Sequence, residues 1–299
     1  MEKTKMRNGI HTKLCVASVL LWSMTALEAS AQEVDYAAGF ALGLRDIDFE
    51  LTATGGEFLT SPAGKVGFNF EETLYTGALW GSLLYDRFYV TGRVDISPSE
   101  STDVQMQSDS FPEFDGVRSS DLDRSDYSLT MGFNVWQGLS VFSGYKYTEF
   151  NLEANEDSFL LGAKDQNYTE YGLFLGGNYT WQFGQSMSFS LSAAYAFLDV
   201  EIRDSNVGQE STIGDISFGN FAFEGSGRGL SFGAQLAAPL TDNWTYNLAV
   251  KYQHYESENN TTTLPVILSG EQFDPILVDD IDTDHEDLAI SFGVQYLFH

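Results

Sequence analysis

The sequence predicts an all-β fold: a transmembrane antiparallel up-and-down β-barrel of ten strands, eight and twelve being the neighbouring counts, with five long loops on one side. Three observations predict it. From Leu288 to Phe298, the residues Leu288, Ile290, Phe292, Val294, Tyr296 and Phe298 alternate with Ala289, Ser291, Gly293, Gln295 and Leu297, the period of two that marks a strand. Short turn signals recur near residues 86, 137, 185 and 242, roughly fifty residues apart, so each interval holds two strands and one longer polar loop. After the leader, no segment approaches the ~20 consecutive apolar residues of a membrane-spanning helix. A chain that crosses a membrane without helices must close its sheet, because only closure satisfies every backbone group in lipid.

The chain opens on a secretory pattern. Lys3, Lys5, Arg7 and Lys13 form a basic region, Leu14 to Leu27 an apolar one, and Ala29-Ser30-Ala31 a small-x-small cleavage site before Gln32. Cys15 precedes the apolar core, whereas an acylated lipoprotein cysteine follows it, so lipidation is excluded. Residues 1–31 therefore read as a cleaved signal peptide and residues 32–299 as the barrel. Removing the leader also removes the only cysteine, and with it disulfide and thiol chemistry.

The strands follow in order. On the first, Val34, Tyr36, Ala38, Phe40, Leu42 and Leu44 alternate with Asp35, Ala37, Gly39, Ala41, Gly43 and Arg45. The second, around Phe70 to Leu84, does not alternate cleanly, and its faces stay unassigned. On the fourth, Tyr127, Leu129, Met131, Phe133 and Val135 oppose Ser128, Thr130, Gly132 and Asn134. The seventh sets Met187, Phe189, Leu191, Tyr195 and Phe197 against serines and alanines, and the ninth sets Trp244, Tyr246, Leu248, Val250 and Tyr252 against Thr245, Asn247, Ala249, Lys251 and Gln253. A soluble sandwich would turn its large residues inward and its charges outward. Here the second face is small and polar, which suits a crowded lumen and leaves the large residues for lipid. Trp80, Trp136, Trp181 and Trp244 each lie close to one of the short turns and read as an interfacial girdle.

The final strand, ending on Phe298 at the chain end, resembles the closing strand of Gram-negative outer-membrane β-barrels. In that class the aromatic is usually the last residue; here His299 follows it. The resemblance implies a place in the outer membrane with both termini periplasmic, contact with outer-membrane lipid and lipopolysaccharide, and passage through the barrel-assembly machinery.

Formal net charge is −28, from 43 acidic and 15 basic residues, which argues against nucleic acid as a partner and for a solvated anionic crown. The stretch from Glu256 to Asp287 carries ten acids with no Lys or Arg, and the loop from Ser99 to Arg124 carries seven. Asp280-x-Asp282-x-Asp284 resembles the opening of a calcium loop, but His285 stands where the turn glycine belongs, so only weak divalent binding at the outer loops is expected and no other cofactor. Leu264, Val266, Ile267 and Leu268 form an apolar run inside this acidic stretch, read as a hairpin extension, as a cap folded over the barrel mouth, or as a partner-contact surface, the partner unspecified.

Length and strand number also resemble the omptins, ten-stranded outer-membrane proteases that carry an aspartate pair and an Asp-x-His unit. Asp46-x-Asp48 mimics the pair, but no Asp-x-His occurs, and Thr283-Asp284-His285 sets the acid adjacent instead. His254 and His285 read as ordinary loop-proximal residues, parity pointing His254 at lipid, and no enzyme is expected. Inside the barrel, parity turns Arg93, Asp95, Lys146 and Lys251 toward the lumen at one height, as a salt-bridged plug or as a pore-lining belt. A narrow porin-like passive channel for small solutes leads; a surface adhesin or structural barrel acting through acidic extracellular loops is the alternative.

Overall fold

The computed structural model describes residues 34–55, 57–58, 61–62, 64–109, 115–154, 165–183, 187–204, 211–213, 216–218, 222–268 and 271–298; the leader lies outside them. In chain order the strands are β1 (Val34–Gly55), β2 (Glu57–Phe58), β3 (Ser61–Pro62), β4 (Lys65–Tyr85), β5 (Phe88–Ser108), β6 (Gly116–Trp136), β7 (Leu139–Ala154), β8 (Asp165–Phe183), β9 (Met187–Asp204), β10 (Ser211–Ile213), β11 (Ile216–Phe218), β12 (Ala222–Pro239), β13 (Trp244–Leu268) and β14 (Glu271–Phe298). Ten of them form a closed antiparallel barrel. Neighbours in sequence pair from β4 to β9, β9 pairs β12, and the ring closes through β12–β13, β13–β14, β14–β1 and β1–β4. The closing register runs from Tyr36 opposite Phe298 to Gly55 opposite Val278. The remaining pieces form small additions at the far end: β2 pairs β3, and β10 pairs β11, which pairs the end of β13.

The short turns after β4, β6 and β12 gather at one end, together with the start of β1 and the end of β14. Asp86 adopts a φ of 54°, and Gly138 one of 75°, in the two-residue turns after β4 and β6. A Cβ on Gly138 would stand 2.4 Å from the Thr180 carbonyl oxygen, so that turn requires glycine twice over. The far end departs from expectation: most of the two acidic stretches predicted as loops are strand, in β5–β6 and in β13–β14. The reason is visible along β1. Near the turns Tyr36, Phe40, Leu42 and Leu44 face out and Ala37, Ala41 and Arg45 face in. Beyond Arg45 the strand keeps its parity, but polarity inverts: Asp46, Asp48 and Glu50 face out while Ile47, Phe49 and Leu51 are buried inside.

The same inversion recurs around the barrel. On β7, Val141 and Tyr145 face lipid, whereas Phe150 and Leu152 point inward beneath outward Asn151 and Glu153. On β9, Leu191, Tyr195 and Phe197 face lipid, and then Leu198, Val200 and Ile202 turn in between Asp199, Glu201 and Arg203. Near the turns the barrel is apolar outside, as lipid demands; beyond the boundary it is apolar inside, as water demands. On β1 the far half runs about ten residues at ~3.3 Å each, or about 25 Å of height once the strand tilt is allowed for.

Its interior is filled. Ile47, Phe49, Phe68, Phe70, Leu74, Val104, Leu122, Phe150, Ile202, Phe223 and Ile281 belong to one buried cluster spanning the lumen. Phe49 stacks on Phe70 with ring centroids 5.3 Å apart and meets Tyr168 edge-on at 4.7 Å. At the turn end a smaller cluster of Ala37, Leu84, Tyr89, Phe142 and Leu297 forms a floor, beside buried Ser140, Thr180, Ser188 and Thr245.

Three tryptophans fit the predicted girdle, Trp136 being 76% exposed and Trp181 and Trp244 also turned outward. Trp80 does not. It lies on the inward face of β4 with Ala78, Ser82 and Leu84, is 5% exposed, and sits 5.5 Å beneath the Arg93 guanidinium. The unassigned faces of that strand explain the error: four alternating inward positions carry one of the largest side chains among three smaller ones. Gly39 makes the room, since a Cβ there would lie 2.4 Å from the Trp80 ring.

Candidate functional site

Between ceiling and floor lies a layer of charge. Arg124 on β6 is fully buried, its Nη2 2.8 Å from Asp287 Oδ2 on β14 and its Nε 2.9 Å from Asp126 Oδ2 two residues along its own strand. Arg45 on β1 pairs with the same Asp126 and stands 3.7 Å from Asp287. Thr148 Oγ1 donates to Asp126 Oδ1 at 2.6 Å. On the other side, Lys146 Nζ on β7 lies 3.5 Å from Glu170 Oε2 on β8 and 3.7 Å from the centre of the Tyr255 ring. Tyr168 OH donates to Glu170 Oε1 at 2.9 Å. His285 joins the halves, with Nδ1 3.2 Å from Glu170 Oε1 and Nε2 3.3 Å from Arg124 Nη1. A guanidinium offers no acceptor, so Nε2 accepts from Arg124 and the ring proton sits on Nδ1, donated to Glu170.

A cavity of about 190 Å³ lies turn-ward of this layer. Arg93, Asp95, Lys146 and Lys251, the four residues predicted to face the lumen, all line it, with Arg45, Asp126 and a wall of serines and asparagines. Arg93 holds Asp95 bidentately, both contacts at 2.7 Å.

The other predicted sites fare differently. Leu264, Val266, Ile267 and Leu268 lie on the extended end of β13, where Leu264 pairs Ile276 and Val266 to Leu268 pair β11; their side chains fall outside the described residues. Asp280, Asp282 and Asp284 belong to β14 rather than to a loop, and Asp280, with a φ of 46°, sits where the pairing with β1 shifts register. Asp284 instead meets His254, its carboxylate oxygens 3.1 and 3.2 Å from Nε2. His254, Asp284 and Glu286 bring one ligand atom each within 4.8 Å of one another, and are the group the described residues offer to a cation. His254 does face outward, but above the lipid-facing belt, among carboxylates.

His285 was the main omission. Ser291 and Ala289 face inward, and carrying their parity back through Asp287 reaches His285; treating the stretch before Leu288 as loop hid the signal. Arg124 and Asp287 lay in stretches read as loop, and Asp126 and Glu170 fell beyond the ends of the alternation that was read.

No family profile matches the chain, and no curated protein does. Among solved structures, it is similar to the outer-membrane protease OmpT of Escherichia coli, with a TM-score of 0.62 at 11% identity over 91% of this chain and 99% of that one. OprG, an outer-membrane protein of Pseudomonas aeruginosa, gives 0.44 at 12% identity over 90% and 98%. The chain has the fold of the Gram-negative outer-membrane β-barrels. The first likeness also corrects the expectation that no enzyme is present: a barrel of this architecture serves as a protease in OmpT, so the fold gives no ground for excluding catalysis. The residues first compared with the omptin set do not converge here, since Asp46, Asp48 and Asp284 face outward and His285 faces in.

Proposed function

We propose that this barrel works at the cell surface, as an adhesin or structural barrel acting through its far half, with a lumen closed to passive flow. The observation that supports the reading is the inversion of polarity beyond the lipid belt, which builds a water-soluble barrel on top of a membrane barrel and fills its interior with aromatic and aliphatic side chains. In this reading the short-turn end, where β1 starts and β14 finishes, is periplasmic, and both termini with it.

The outer wall then supplies the binding face. Asp48 stands opposite Glu286, Glu50 opposite Asp284, and Asp284 opposite Glu256, three like-charge cross-strand pairs. Such pairs are destabilising on a sheet unless opposite charge is supplied. A partner with a cationic surface supplies it, through an attraction that weakens as salt rises. The test displays the mature chain on cells and measures retention on a surface coated with a basic protein, beside a variant with Asp48, Glu50, Asp284 and Glu286 replaced by their amides. Retention should fall sharply in the variant and in high salt. Equal retention would sink the surface reading.

A second reading, the narrow passive channel for small solutes, draws on the cavity lined by Arg93, Asp95, Lys146 and Lys251. Planar-bilayer conductance separates the two: the first expects a silent barrel, the second steady current.

A further inference from the structure

The luminal charges balance except for one. At the height of the cavity and the layer above it, Arg45, Arg93, Arg124 and Lys146 face Asp95, Asp126, Glu170 and Asp287, and each cation has a carboxylate within 4.0 Å. Lys251 is the fifth cation. It lines the same cavity, yet it makes no hydrogen bond or ion pair among the described residues. Its register neighbours are Gly233 on β12 and Ala289 on β14, too small to cover it or to answer its charge. Ser192, Ser231, Ser291 and Asn247 line the space around it and offer hydroxyl and amide donors.

A lysine at membrane depth must be paired or hydrated, because the surrounding lipid cannot solvate it. Its outward neighbours Val250 and Tyr252 lie within the lipid-facing belt, so water cannot reach it through the wall. The cavity of about 190 Å³ has room for a small ion and part of its water shell. We propose that the lumen binds a small anion, a halide or a short carboxylate in size, held by the Lys251 ammonium with hydroxyl donors from the serine wall. A cation would meet four positive side chains on the cavity wall against two negative ones. This site is independent of the surface reading, since it requires only that the barrel fold.

The test uses the refolded mature chain in detergent and bromide as the probe. Crystals soaked in bromide should show an anomalous peak beside Lys251 Nζ. Bromide should also raise the denaturation midpoint more than an equal concentration of a bulky sulfonate, and acetate should compete for the effect. Lys251→Met keeps the chain length and removes the charge, so the peak should vanish and the apparent bromide affinity should fall at least tenfold. Because the substitution deletes an unpaired charge that lines the luminal cavity, the variant is expected to fold with an unchanged or raised midpoint in bromide-free buffer. Lys251→Arg should retain bromide dependence. Peaks confined to the outer surface, no anion dependence in the parent chain, or full dependence in Lys251→Met would each overturn the proposal.

Discussion

His285 Nδ1 lies 3.2 Å from the Glu170 carboxylate inside the closed barrel, and this contact ties β14 to β8 across the lumen. The imidazole is fully buried, with its other nitrogen taken by Arg124. It therefore couples two ion-paired groups, Arg124 with Asp126 and Asp287 on one side and Lys146 with Glu170 on the other.

Removing either member should destabilise the barrel, by different amounts. His285→Leu removes the imidazole's hydrogen bonds to the Glu170 carboxylate and the Arg124 guanidinium but leaves both charges their other ionic partners, and should cost about 1–3 kcal/mol. Glu170→Leu strands the Lys146 ammonium in the interior and should cost about 3–5 kcal/mol. Urea unfolding of the refolded barrel in detergent measures both. The reverse order, with His285→Leu the worse, would mean that Glu170 is not the anchor of this group.

Tryptophan placement gives a second check. Single-tryptophan variants retaining Trp136, Trp181 or Trp244 should be quenched strongly by lipids brominated near the headgroup, because these rings face outward. A variant retaining only Trp80 should be quenched several-fold less, since its ring sits inside beneath Arg93. Equal quenching of all four would return Trp80 to the girdle.

How much of this was legible in the sequence depends on where each residue lies along its strand. The lipid-facing half was readable because large side chains at every second position contrast with Gly, Ala and Ser between them, and parity alone placed Arg93, Asp95, Lys146 and Lys251 on the cavity wall. The far half was not read, because the contrast reverses there. Asp46, Asp48 and Glu50 occupy the positions that had held Phe40, Leu42 and Leu44, which looks like the end of a strand and the start of a polar loop. The strand in fact continues, and Ile47, Phe49 and Leu51 carry the apolar signal on the opposite parity. The ion pairs across the lumen were out of reach for another reason: Arg124 and Asp287 are 163 positions apart, and only the ring order and shear of the closed barrel bring them together.

The turn after β6 tests the geometry of the periplasmic end in the proposed orientation. Gly138→Ala places a methyl in a left-handed backbone conformation and 2.4 Å from a backbone oxygen of β8. The expected cost is about 1–3 kcal/mol, read as a lowered unfolding midpoint and a lower refolding yield. Gln137→Ala beside it should be near neutral. A Gly138→Ala barrel as stable as the parent would show that this turn relaxes freely and that the register of β6 with β7 does not depend on it.

The aromatic layer fills the lumen on the far side of the charged layer, and it can be broken deliberately. Phe49 and Phe150 meet across the lumen with centroids 6.1 Å apart, and Phe150 packs edge-on against His285 at 4.9 Å. Truncating one of them to alanine should cost about 3–5 kcal/mol, so Phe49→Ala and Phe150→Ala are made singly first and then together. Folding is checked by the heat-dependent gel shift that closed barrels show. The parent chain should be silent in planar bilayers at moderate voltage. The double variant removes two rings from the layer that spans the lumen and should pass current intermittently, as water enters above the charged layer. Replacing Lys251 in that background should alter its ion preference, because the cavity below becomes part of the path. A folded double variant that stays silent would locate the barrier in the floor of Leu84, Tyr89 and Leu297, and steady current through the parent chain would show that the aromatic layer is no barrier at all.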